Sequence, residues 1–204
     1  MFKRQAEIKA KRIKLNLDSD LSVNLIDTLL VDLHPSFIRP DGPFFIQAIG
    51  EITSTGGPKD CFTVYAENNG NHYLIEIEAV EDNIESVAVY QNVLTLAPEE
   101  DEWEQVLKDM SSRDMEMDGV HYLRSLGGDA DHADLCELQE HIKTNEDAYD
   151  CLNRMMLFER TISPGDFKEK LKIVVEAIDS RQQAGVSFYL GFSLHPSTLT
   201  LLGN

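Results

Sequence analysis

The sequence predicts an α+β fold: a mainly antiparallel β-sheet, made of a meander and a C-terminal hairpin, covered by a few α-helices. Three observations carry the prediction. Asn69 to Leu96 reads as two consecutive strands, Leu171 to Leu194 reads as a hairpin, and apolar residues recur at helical spacing after Leu21 and again after Pro98.

In Asn69 to Leu96, Tyr73, Ile75, Ile77 and Ala79 fall on one face of a strand and Glu76 and Glu78 on the other, the period of two of a half-buried strand. Glu81, Asp82 and Asn83 supply a turn. Val87, Val89 and Val93 then alternate with Ala88, Tyr90, Leu94 and Leu96, so both faces of this strand are expected to be covered, one by helices and one by other material.

From the N-terminal end, Leu21 to Leu33 sets Leu25 with Leu29, and Ile26 with Leu30 and Leu33, at helical spacing behind Ser19 or Asp20 as N-cap, which predicts a short packed helix. His34-Pro35 and Arg39 to Pro43 end it in a stiff loop. Phe44, Ile46, Ala48 and Ile52 share a strand face, Ser54 to Pro58 form a turn, and Phe62, Val64 and Ala66 resume the alternation. Asn69-Gly70 is a strong hairpin signal, because a type I′ turn needs positive φ at both central residues.

Pro98 opens a helix whose first turn, Glu99 to Glu102, puts negative charge where the helix dipole favours it. Trp103, Val106, Leu107 and Met110 form its apolar stripe, with Trp103 a core residue over the sheet. Asp118-Gly119 precedes a strand from Val120 to Leu126. Gly127 to Asp150, with eight acids and one Lys, reads as an excursion from the core before apolar character returns at Met155 to Phe158. The chain closes on a hairpin that sets Leu171, Ile173, Val175 and Ala177 against Val186, Phe188, Leu190, Phe192 and Leu194 across the loop Asp179 to Gly185.

With 204 residues and 42% hydrophobic content, the chain is long enough for one substantial core, expected as a single α+β domain over 19–204 behind a basic N-terminal segment, 1–18. Six of the eighteen basic residues lie before Leu15, leaving twelve against 35 acids in the rest. The net charge of −18 argues against nucleic-acid binding, which needs clustered Lys and Arg. The basic segment could touch anionic lipid or fold back on the acidic body. Cys61, Cys136 and Cys151 show no CxxC spacing and fit reduced thiols in a cytoplasmic protein; no run approaches a membrane span, and no secretory signal is visible.

Asp129, Asp131, His132, Asp134, Cys136 and His141 are the one constellation with metal-ligand chemistry. A helix from Leu135 onward would set His132 and Cys136 one turn apart, and His132, Cys136 and His141 are the candidate metal ligands of a metal-binding protein or metal-dependent hydrolase. A solvated acidic loop ahead of a helix explains the same residues, and an EF-hand fails because Asp134 stands where the sharp-turn glycine belongs. Glu76, Glu78, Glu81, Asp82 and Glu85 read as a solvated strand face, since acid/base work requires burial or close pairing. His121 reads as a structural histidine. No nucleophile elbow, Walker loop or dinucleotide fingerprint occurs, so no catalytic residue and no cofactor is assigned.

An order of short motifs adds a resemblance. Ala48-Ile49-Gly50, Tyr73-Leu74-Ile75, Val87 to Tyr90 leading into Pro98 and Trp103-Glu104, Tyr122-Leu123-Arg124, Met156 to Arg160 and Phe188-Tyr189-Leu190 follow one another over Leu29 to Leu194. In this the chain resembles a bacterial family of unknown function that includes the enterobacterial YjfK protein. The resemblance implies a soluble cytoplasmic protein, often encoded near a phage-shock-type coiled-coil protein and small membrane proteins, and brings no functional residues with it. The expectation is a non-enzymatic interaction or accessory protein with a protein partner and a link to envelope stress. A small-molecule binder, with its pocket between Trp103 and the sheet, is a further alternative.

Overall fold

The alternation of apolar and polar residues produces strand almost throughout the computed structural model, with 62% of the described residues in strands and 8% helical. The structure describes residues 15–17, 19–53, 59–81, 83–163, 165–178 and 183–202. The basic residues before Leu15, the turn Ser54 to Pro58, Asp82 and the first part, 179–182, of the Asp179 to Gly185 loop lie outside them. The strands are β1 (Asp20–Val23), β2 (Phe44–Ile52), β3 (Lys59–Asn68), β4 (Asn71–Val80), β5 (Asn83–Leu96), β6 (Asp114–Met117), β7 (Val120–Arg124), β8 (Cys136–Thr144), β9 (Ala148–Ile162), β10 (Phe167–Ile178), β11 (Gln183–Leu194) and β12 (Leu199–Leu202). Among the described residues one α-helix forms, α1 (Trp103–Met110).

Strands β2, β3, β4, β5, β11, β10, β9 and β8 pair antiparallel in that order, and β8 pairs with both β9 and β2, which closes an eight-stranded barrel. This overturns the expected α+β sheet under several helices. Strand β8 comes out of the supposed acidic excursion: it pairs Ala48 to Ile52 of β2 on one side and Ala148 to Met155 of β9 on the other. The remaining half of β2 pairs with β1, and that of β9 with β7. The ring is therefore closed at β8, while short two-stranded wings, β1 with β12 and β7 with β6, continue the sheet beyond it.

The predicted helix over Leu21 to Leu33 is also absent. Leu21 alternates into β1 and is fully buried, a 3-10 turn (Ile26–Thr28) follows, and Leu25 and Leu33 pack inward while Ile26, Leu29 and Leu30 point out. The leucines that matched helical spacing thus serve two surfaces and form no continuous stripe. By contrast, Asn69 and Gly70 take φ of 50° and 77° at the β3 to β4 turn, as the type I′ signal requires. The C-terminal hairpin forms as expected, with Ile173 opposite Phe188 and Val175 opposite Val186, and its pairing runs on to Ile178 opposite Gln183, inside the expected loop.

A barrel wall has two faces, and this chain uses both. Away from the axis, Ile75, Ile77, Val64, Phe62, Val87 and Val89 lie under Leu15, Leu21 and the β12 leucines. On the other side Met156, Phe158, Leu171, Ile173 and Phe192 lie under Leu25, Leu33, Phe37 and α1, whose Met110 is buried and whose Trp103 packs against the same cluster as foreseen. This cover is tied down by buried polar side chains. Glu169 accepts from the His34 amide at 2.6 Å, the Tyr122 hydroxyl at 2.9 Å and Arg160 Nε at 2.5 Å. Gln91 and Tyr73 take the Ile38 amide and carbonyl.

Two glycines let strands approach closely inside the barrel. A Cβ on Gly50 would lie 1.8 Å from Glu140 Oε1 of β8, and one on Gly191 would lie 2.1 Å from the Val89 carbonyl oxygen. Gly191→Ala should therefore be the more damaging, since a paired backbone yields less than a side-chain end; the overpacking expected is roughly 1 to 3 kcal/mol. Urea unfolding of both variants checks the order: Gly50→Ala should lose less than Gly191→Ala, and part of its loss should return in the Gly50→Ala, Glu140→Ala double variant.

Candidate ligand site at the mouth of the barrel

The inward face carries the chemistry. Alternation directs Thr63 and Tyr65 of β3, Leu74 and Glu76 of β4, Ala88 and Tyr90 of β5, Glu140 and Ile142 of β8, Asn153 and Met155 of β9, Lys172, Val174 and Glu176 of β10, and Tyr189 of β11 to the axis. Side chains from opposite walls meet there. Lys172, almost fully buried, donates to Glu76 and stands 5.6 Å from the centroid of the Tyr90 ring. The sequence reading put Glu76 on a solvated face; the closed ring turns that face inward, and an interior ammonium neutralises it.

Nearer one end, Glu140 is 1% exposed, and its Oε2 accepts from Tyr65 Oη at 2.9 Å and Asn153 Nδ2 at 2.7 Å. Asn153 in turn accepts from the Cys151 thiol at 3.2 Å. Glu140 Oε1 has no hydrogen-bond partner among the described residues. Burial raises the Glu140 pKa above its ordinary value, with the Tyr65 and Thr63 hydroxyls pulling the other way. Burial also raises Glu176, which Lys172 partly offsets. The void beside these groups is only about 10 Å³, the lower limit for one water.

Above that floor the barrel opens into a recess of about 400 Å³. Tyr65, Tyr149 and Tyr189 line it from the inward face, Tyr73 and His72 border it, Asn92, Ser187 and Thr144 add hydroxyl and amide groups, and Glu176 enters from β10. Desolvation pushes Tyr189 up to about 12 and Tyr65 well above its ordinary value, so these phenols are neutral at physiological pH. Glu176 takes part in no hydrogen bond or ion pair among the described residues, whereas the interior Glu76 and Glu140 are both bonded.

With the geometry in place, comparison with known proteins adds one finding. Residues 1–200 match the family described as Protein of unknown function (DUF2491). The chain belongs to that family. The expected membership of a family of unknown function therefore holds. No curated protein and no solved structure matches the chain.

The candidate metal ligands are placed on different elements. His132 lies in the loop before β8, its Nδ1 2.8 Å from the Ser111 hydroxyl; Cys136 is exposed at the start of β8; His141 sits further along β8, 2.7 Å from Asp150. The segment is a strand where a helix was expected, so Cys136 and His141 point to opposite faces and stand roughly 17 Å apart along it. Among the described residues no three His, Cys, Asp or Glu side chains converge as metal ligands. His121 is exposed and pairs with Glu116 at 3.1 Å. Sequence reading missed Glu140, Lys172 and Glu176; the only signal was that each is a charged residue in an otherwise apolar strand face, as with Lys172 and Glu176 beside Val174.

The raised carboxyls set a pH dependence. A carboxyl whose folded pKa lies above its ordinary 4.5 binds more protons folded than unfolded, so its contribution to stability falls as pH rises from there through the folded value. Glu140→Gln removes one such group and keeps a carbonyl oxygen for Tyr65 and Asn153. Urea midpoints measured from acid to neutral pH should show this variant gaining on the wild type as pH rises; a constant difference would contradict the burial argument.

Proposed function

We propose that the protein binds a small molecule in the mouth of its barrel. The observation that carries this reading is the recess of about 400 Å³ at the end of a closed barrel, walled by inward tyrosines and holding a carboxylate, Glu176, that makes no hydrogen bond or ion-pair contact among the described residues. Its volume suits a small organic ligand, and an eight-stranded barrel has room at its mouth for one. The pocket lies at the barrel end, away from the site beside Trp103 that the sequence suggested. Thermal shift and protein-observed NMR with a panel of small neutral, anionic and cationic amphipathic molecules test it. Binders should raise the melting temperature and weaken in His72→Trp, which crowds the exposed rim. A panel without a single binder, or binders indifferent to His72→Trp, would count against the site.

A protein partner, as expected of an interaction or accessory protein, is the second reading. It is favoured by Ile26, Leu29 and Leu30, which are 65%, 62% and 100% exposed around one short turn. Leu30→Asp should leave the melting temperature unchanged, because Leu30 touches no core cluster, while reducing co-purification of any partner captured by the wild type. Equal recovery with both proteins would remove this turn as the contact.

A further inference from the structure

The interior already shows how this barrel holds an ammonium. Lys172 is matched by a carboxylate, Glu76, and by the face of an aromatic ring, Tyr90, with the nitrogen 5.6 Å from the ring centroid. Two inward positions further along the same strand, just beyond Val174, Glu176 offers a second carboxylate. Tyr65, Tyr149 and Tyr189 line the space around it, but among the described residues no Lys or Arg lines the recess, and its one imidazole, His72, stands on the exposed rim. The inward carboxylates Glu76, Glu140 and Glu176 outnumber the one ammonium, Lys172, and burial works against both Glu140 and Glu176 in their charged forms. The upper half of the barrel repeats the components of the Lys172 site without supplying the cation.

Resting on the reading of the mouth as a ligand site, we propose that its ligand is a small organic cation, an alkylammonium or quaternary ammonium group, seated against Tyr65, Tyr149 and Tyr189 with Glu176 as its counter-ion. The chemistry fits each part. Neutral phenol rings present negative faces that attract a cation more strongly as water is excluded. A single carboxylate gives charge balance without the converging oxygens that a hard metal ion requires. An anionic ligand would meet Glu176 and, behind it, Glu140 at close quarters, and a purely apolar one would leave Glu176 desolvated and unpaired.

The test compares choline with dimethylbutanol, in which carbon replaces the charged nitrogen at the same shape, by isothermal titration calorimetry on the full chain. Choline is expected to bind at least about tenfold more tightly than the alcohol, the size of one desolvated cation–π or ion contact. Glu176→Gln should abolish most of that preference. Tyr149→Leu, at a half-buried wall position, should weaken choline several-fold without altering the circular dichroism spectrum. Equal binding of choline and dimethylbutanol, or a preference that survives Glu176→Gln, would overturn the cation while leaving the pocket. Failure of choline alongside binding of a neutral or anionic panel member at the mouth would do the same. If no molecule of any charge binds, the mouth is not a ligand site and both readings fall.

Discussion

The contact between β8 and the rest of the ring is the one on which the other features depend. Strand β8 lies between the second half of β2 and the first half of β9, and its Glu140 side chain enters the barrel through the notch left by Gly50. Once there, the carboxylate holds Tyr65 of β3 and Asn153 of β9 at hydrogen-bonding distance. A carboxylate this buried is costly unless its lone pairs are used, so the network is both the consequence of closure and what fixes its register. A slip of one residue would send Glu140 to the outer face and bring its neighbours, Gln139 or His141, inside.

Closure also explains the distribution of polarity, which puts charged groups inside the barrel beside its apolar ones. The larger apolar clusters lie on the outer wall, beneath β1, β12, α1 and the segment from Leu25 to Phe37, while the lumen sets carboxylates, phenols, an amide and a lysine among Leu74, Ala88, Ile142, Met155 and Val174. The two arrangements support each other. The outer layers supply the hydrophobic stabilisation, which leaves the interior free to carry groups that contribute little to stability and can contribute recognition. The cover in turn is held by polar anchors, above all Glu169 with its three donors, so detaching it would strand a buried charge.

Much of the strand pattern was legible from residue order. The alternation in β4 and β5, the Asn69-Gly70 turn, the apolar stripe of α1 and the final hairpin all follow from local rules, and each is present. The fold class was not legible, because closure is a non-local fact. Nothing in Cys136 to Thr144 announces a strand buried at both edges: its composition is acidic, and only Glu140 and Ile142 among its residues are buried. The same blindness hid the candidate site. An outward glutamate and an inward one alternate with apolar neighbours in the same way, so Glu76 read as solvated until the ring showed which side was inside. The leucines of Leu21 to Leu33 misled for a related reason, since their spacing matched a helix although they answer to separate surfaces.

Two seams of the ring, β2 with β8 and β5 with β11, join segments roughly 90 or more residues apart in the chain, whereas β3 with β4, β4 with β5, β8 with β9 and β10 with β11 join neighbours. Local hairpins lose little entropy on pairing, while a loop of this length must be closed before any of its contacts count in its favour. Loop-closure entropy thus favours the hairpins forming before either seam. Until both seams form, the lumen carboxylates remain in water, and the arrangement at the mouth does not exist. The recess is a property of the completed ring, present only when both long-range seams are made and lost with the first strand to detach.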